Sequence, residues 1–203
     1  MPPMLKELGG YPEAAIGTLL GGRGVGAMVG FFFAGRLGRF DPRVGMTIGF
    51  GIQTISGIHM MTFDMNVGMN DVLLASFMQG MSVGLIWVPL VIATFATLDK
   101  KVLAETTAVF HLLRNIGSSI FISISVTMVV RTGISNYARM TEFVSPFNEV
   151  LGFPQYLRFW DIETTTGLAR IAVEVKQQAD MIGFLNAFGL YTLACVVVLP
   201  LVW

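Results

Sequence analysis

Two arginines stand inside long apolar stretches of this 203-residue chain. Arg23 lies about 14 Å of helical rise beyond Ala14, where the first stretch begins, and Arg114 about 16 Å beyond Leu103 in the fourth. An arginine at that depth in lipid costs about 2.5–3.5 kcal/mol on insertion scales and marks a bundle interior, a wet cavity or a substrate path. The structural alternative is an arginine paired to helix-end carbonyls or reaching for the interface. No acid sits at comparable depth, since Glu13 and Glu105 fall near the ends of their stretches. A proton-driven pump needs an embedded carboxylate or histidine. His111, one turn from Arg114, is the titratable candidate there, and His59 reads as interfacial. Gln79, Asn115, Ser118 and Ser119 can bond a substrate or join helices. Trp87, Phe95, Phe110 and Met81 can line an apolar cavity or face lipid.

Enzyme chemistry has little to stand on. Gly117-Ser118-Ser119 with either histidine lacks the Gly-x-Ser-x-Gly elbow of a serine hydrolase. No phosphate loop, metal-ligand spacing or nucleotide fingerprint occurs. Cys195 is the single cysteine and makes no disulfide framework. No catalytic residue, metal or cofactor is therefore expected.

The elements that must carry these residues follow from composition. The chain is 54% hydrophobic and 13% charged. With its 23 glycines the apolar share reaches about 65%, above the roughly 45–50% of soluble domains counted the same way. A globule of this size cannot hide so much apolar surface, so the class is integral membrane. Thirteen basic and thirteen acidic residues leave no net charge to hold nucleic acid. No basic segment followed by a short apolar core opens the chain, so no secretory signal is read.

Five apolar runs, at about 14–37, 44–63, 72–98, 103–130 and 182–203, predict five transmembrane helices of an all-α polytopic fold. Residues 131–181 read as a long outer loop. Within it Leu168, Ile171, Ala172, Val175 and Ala179 recur at helical spacing, predicting an amphipathic helix at the membrane surface or against a neighbour. Gly22, Gly26 and Gly30, and Gly80 with Gly84, recur every fourth residue and predict close backbone approach between helices. Pro89 predicts a kink. Short loops carry Arg36, Arg39, Arg43, Lys100 and Lys101 densely, against Lys6, Arg131, Arg139, Arg158, Arg170 and Lys176 spread over more chain. The dense side is read as cytoplasmic. Trp203 closes the last run without a polar tail, so both ends read as cuts through a larger protein.

Several segments resemble the EmrB/QacA-type 14-helix drug:proton antiporters of the major facilitator superfamily. Pro2-Pro3-Met4-Leu5 with Gly10-Tyr11-Pro12 resembles the loop entering a late span, and Arg23-Gly24-Val25-Gly26 their Arg-Gly-Leu-Gly segment. Gly35-Arg36-Leu37, Arg39 and Asp41-Pro42-Arg43 resemble a cytoplasmic loop, and Ala96-Thr97-Leu98 the end of a later span. Phe110-x-Leu112-x-Arg114-Asn115-Ile116-Gly117-Ser118-Ser119-Ile120 is the most specific match, and Ser145-Pro146-Phe147-Asn148 fits the outer loop. Gly22 stands where the family usually has proline, and Phe121 where it has glycine.

The resemblance implies the last five of fourteen spans, with the first, third and fourth runs lining a cavity. It implies proton-coupled multidrug efflux by alternating access across a bacterial cytoplasmic (inner) membrane. Arg23, Gln79, Arg114 and Asn115 become candidates for substrate cavity or coupling, and Gly22, Gly26, Gly30, Gly80 and Gly84 for the packing seam. Gly35, Arg36, Arg39, Asp41 and Arg43 become candidates for a cytoplasmic gate loop. Its implied partners are an N-terminal half, the lipid bilayer and an amphipathic small molecule, with a periplasmic adaptor and outer-membrane channel as further partners. A truncated, non-transporting remnant and a small multi-span channel are the rival readings.

Overall fold

A computed structural model describes residues 2–37, 41–99, 101–145, 147–148 and 160–203. The regular elements among them are all helical: α1 (Pro2–Glu7), α2 (Glu13–Leu37), α3 (Pro42–Met61), α4 (Met69–Phe95), α5 (Leu103–Thr141) and α6 (Thr165–Val198), closed by a 3₁₀ turn (Leu199–Val202). Backbone groups in lipid must be bonded within the segment, and a helix does this by itself. The sequence sets the boundaries locally. Asp41 caps α3, accepting from the Arg43 amide at 2.9 Å, and Pro42 occupies the first turn, where no amide is needed. Gly10 takes a left-handed φ of 60° in the turn between α1 and α2.

Among the described residues four helices are long and apolar enough to cross a membrane: α2, α4, α5 and α6 with its terminal turn. The fifth expected span, α3, has 20 residues, the length of a crossing, but Arg43, Gln53 and His59 dilute its apolar content. The stretch 131–181, expected as loop, is largely helix. α5 continues to Thr141 and α6 already begins at Thr165. Polarity alone does not end a helix, and the lone Gly133 is tolerated within one. The amphipathic segment is thus the first half of α6 rather than a separate element.

The described residues fall into two compact units. The first comprises Met1–Ile124 with Phe188–Trp203. There α2 and α3 each lie along α4, and the core includes Leu19, Ala34, Met60, Val72, Ala75 and Leu85. Tyr11 donates to the Val67 carbonyl at 3.3 Å and Trp203 donates its indole N–H to Thr47 Oγ1 at 3.2 Å. The second unit, Ser125–Ala187, is an antiparallel hairpin of the end of α5 and the start of α6. Gly133 meets Asp180 and Gly183 meets Val129, while Ile171 and Ala179 are buried. Lys176 pairs with Asp180 at 2.7 Å.

Candidate functional site

The closest approach in the first unit is between α2 and α4. A methyl placed on Gly26 would run into the Phe77 carbonyl, one on Gly30 into the Met81 carbonyl, and one on Gly80 into the Arg23 carbonyl. At Gly84 it would lie 2.6 Å from the Phe31 amide nitrogen, and at Gly22 2.5 Å from Leu73 Cδ1. Gly26, Gly30, Gly80 and Gly84 therefore stand where a side chain has no room, whereas at Gly22 the end of the Leu73 side chain can move aside. Lipid offers no hydrophobic drive for helix association, so close van der Waals packing of this kind is what holds such helices together.

A second seam, polar and buried, joins α3 to α4. The Ser82 hydroxyl donates to Gln53 Oε1 and has the Gln79 carbonyl at 2.8 Å as a second acceptor. Ser56 donates to the Ala75 carbonyl at 3.2 Å, and the Gln79 amide donates to Met60 Sδ at 3.2 Å. Gln79 is here a helix-joining group, one of the two roles its type allows. Gln53, Ser56 and Ser82 escaped the sequence reading. Their signal was available: Gln53 and Ser56, and Ser76, Gln79 and Ser82, recur every third residue on otherwise apolar helices. Two buried polar atoms in the spans, His59 Nε2 and Tyr191 Oη, have no bonding partner among the described residues.

Arg114 stands differently. Its guanidinium carbon sits 4.5 Å above the centre of the Trp87 ring. Phe110 flanks Trp87 at 6.1 Å between ring centres, and Phe95 flanks Phe110 at 5.6 Å. Three of the four residues read from sequence as wall or lipid-facing, Trp87, Phe110 and Phe95, thus form a row of rings beside Arg114, while Met81 sits with its backbone against Gly26 and Gly30 of α2. Asn115 is exposed, with its carbonyl taken by the Ser118 hydroxyl at 3.0 Å. Arg23 is exposed, its own carbonyl set against Gly80. Among the described residues neither Arg23 nor Arg114 pairs with a carboxylate; the ion pairs there are Lys6–Glu13 and Lys176–Asp180.

At the expected gate loop, Asp41 makes the helix-end contact to Arg43, while Arg36 stacks on Phe32 at 4.5 Å. A methyl on Gly35 would meet open space. Gly38 and Arg39 lie outside the described residues, as do Lys100, Pro146 and Arg158.

Long apolar helices joined by small-residue and polar seams define a polytopic helical membrane protein. The chain is 25% identical over 172 residues to the multidrug export protein EmrB of Haemophilus influenzae, covering 83% of this chain and 34% of that protein. It is 23% identical over 206 residues to the probable multidrug resistance protein EmrY of Escherichia coli, and 24% over 208 residues to the fatty acid resistance protein FarB of Neisseria gonorrhoeae. Each of those matches covers all of this chain and 40% of the relative. These matches show the resemblance to EmrB-type permeases that the motifs carry. The chain spans little more than a third of the length of these relatives. No family profile and no solved structure matches it.

Proposed function

We propose that these helices are the C-terminal part of a proton-coupled multidrug efflux permease of the EmrB type, sited in a bacterial inner membrane. The observation that carries this reading is the similarity running the whole chain to the multidrug export protein EmrB of Escherichia coli and to the resistance proteins EmrY and FarB. A physical observation supports it. The apolar window of α5 has no buried residue, and two deep arginines have no acid among the described residues. Both conditions are met by a second bundle facing α5 and supplying the carboxylate. In this reading two bundles rock around a midplane site, as secondary transporters do. The α2–α3–α4 block moves as one body, and Arg114 and Asn115 face the substrate path with Arg23. Asp41, Arg36 and Arg43, with Gly35 and Arg39, shape the cytoplasmic gate. A periplasmic adaptor and an outer-membrane channel complete the route.

Dye efflux driven by a proton gradient, measured in everted vesicles, tests the reading. Vesicles holding these 203 residues alone are expected to show none, and vesicles holding the chain joined to an EmrB-type N-terminal half are expected to show it. Efflux by the chain alone, or none from the joined protein, overturns the reading.

A further inference from the structure

We propose that Arg36, at the end of α2, binds the phosphate of an anionic phospholipid, with Arg43 as a second cation for the headgroup and Phe32 and Phe33 as the wall for its acyl chain. The inference deepens the gate reading of these arginines by naming what they hold, and it rests on that reading only for its effect on transport.

Helix length places the charge. From Glu13 to Arg36 α2 rises about 35 Å, a little more than a hydrocarbon core of about 30 Å, so the guanidinium falls in a headgroup layer. Arg43 falls at the same end. Gly84 of α4 lies against Phe31 and Pro89 against Gly45, which sets the last turn of α2 and the first turn of α3 beside one stretch of α4. Lys101 follows α4 at that end. All three cations are exposed. The nearby acids are engaged locally. Asp41 accepts from the Arg43 amide at 2.9 Å, and Asp99 from the Lys101 amide at 3.3 Å. Among the described residues the ion pairs lie elsewhere, at Lys6–Glu13 and Lys176–Asp180. This end therefore keeps a surplus of positive charge at headgroup depth.

The surroundings of Arg36 select the ligand. Its guanidinium carbon sits 4.5 Å from the centre of the Phe32 ring, so one face of the group is engaged and its plane is held. The N–H edge of such a fork matches the oxygens of a phosphate in two parallel bonds. Phe32 is 62% exposed and Phe33 49%, with their rings edge to face at 5.8 Å. Both rings stand about one helical turn nearer the middle of the membrane than the charge. An anion carrying an acyl chain meets the charge and the rings at once. A free phosphate gains nothing from the rings. A zwitterionic lipid brings a choline cation among cations, where Asp41 and Asp99 are already turned to backbone amides. Basic residues flanking a span attract anionic lipid, and an arginine stacked beside exposed rings gives that attraction a fixed place.

The full chain in neutral detergent micelles is titrated with phosphatidylglycerol and with phosphatidylcholine of the same acyl chains, and bound lipid is counted by native mass spectrometry. One phosphatidylglycerol is expected to bind about tenfold more tightly than phosphatidylcholine, the worth of a charge-assisted bond pair. Arg36→Gln should abolish that preference. Arg36→Lys keeps the charge and loses the planar fork, and should bind about threefold more weakly than the parent. Binding by the Lys variant separates loss of the site from loss of fold. Phe32→Ala should also weaken binding about threefold, by freeing the guanidinium plane. Arg170→Gln removes an equal charge from the other unit and should change nothing. No preference in the parent, a preference kept in Arg36→Gln, or an equal loss in Arg170→Gln overturns the site. Inorganic phosphate as competitor settles the source: unchanged lipid binding supports the phospholipid, and displacement shows a free-anion site and overturns it. The preference should persist in the chain joined to an EmrB-type N-terminal half, and its loss there would show that a side chain of the second bundle takes the place of the lipid, which also overturns the site. Dye efflux that ignores phosphatidylglycerol content while binding persists would leave the site standing and count against the gate reading alone.

Discussion

The α2–α4 interface and the membrane run of α5 are built from similar residues and are used in opposite ways. Both combine large apolar side chains with glycine, several in the first and Gly117 alone in the second. In the first, four glycines stand against backbone atoms with no room for a methyl. In the second, a methyl on Gly117 would meet nothing within 4 Å, and the apolar window has no buried residue. The difference teaches where this protein is finished and where it is open. α2, α3 and α4 satisfy one another through a small-residue seam and a polar seam. Over its apolar run α5 presents its side chains outward, with Arg114, Phe110 and Trp87 tying it to α4.

The largest effect expected from that contrast is at Gly80. Gly80→Val drives a branched side chain into the Arg23 carbonyl, and backbone cannot swing aside as a flexible side chain does. The two helices must separate, at a cost of about 3 kcal/mol, the upper end of ordinary overpacking. Unfolding of the chain in mixed detergent micelles, followed by helicity, measures it. A loss below about 1 kcal/mol would show that α2 and α4 tolerate a wider separation and would break the comparison.

Ser82→Ala comes next, at about 1.5 kcal/mol. The change strands the buried Gln53 Oε1, and interhelical bonds in membranes reach that size only when the partner is left without a substitute. Gln53→Leu combined with Ser82→Ala should recover part of the loss, because removing both partners leaves no bare acceptor. If the double variant is less stable than Ser82→Ala, the seam works by packing rather than by its hydrogen bond.

A smaller effect, about 1 kcal/mol, is expected for Asp41→Ala, which removes the cap on α3. Asp41→Asn should retain most of the stability. Its worth is structural as well as positional, since the cap sits in the loop proposed to act at the cytoplasmic gate.

Much of this architecture was legible because its signals are one-dimensional. Apolar runs show where lipid-crossing helices are, Asp41-Pro42 shows where α3 starts, and glycines four apart show which faces lie close to something. What they lie close to was not legible, because the offset between two helices leaves no mark in the spacing within either. The Arg114–Trp87 contact has the same character: both residues stand out, but their meeting depends on how α4 and α5 are aligned. The far end of α5 was misread for a different reason. Arg131, Asn136 and Arg139 made that stretch resemble loop, although a helix leaving an apolar layer becomes polar without unwinding.

The smallest stability effect sharpens the comparison most. Gly117→Ala adds a methyl where the chain has open space, and alanine is the better helix former. In the isolated chain it should therefore stabilise, by about 0.5 kcal/mol. The glycine has no reason within this chain to be a glycine, whereas Gly26, Gly30, Gly80 and Gly84 each have one. If α5 is where a second bundle docks, its reason lies on that bundle, and the sign of the effect must reverse once the two are joined. Gly117→Leu in the joined permease should then lower dye efflux about tenfold at unchanged membrane abundance, since a side chain forced into a close interface costs on the order of 1–3 kcal/mol. Stabilisation of the chain alone together with loss of efflux from the joined protein would identify α5 as the assembly face. Stabilisation of the chain alone with unchanged efflux from the joined protein would mean that lipid, not protein, covers Gly117, and the docking face would have to be sought on another helix.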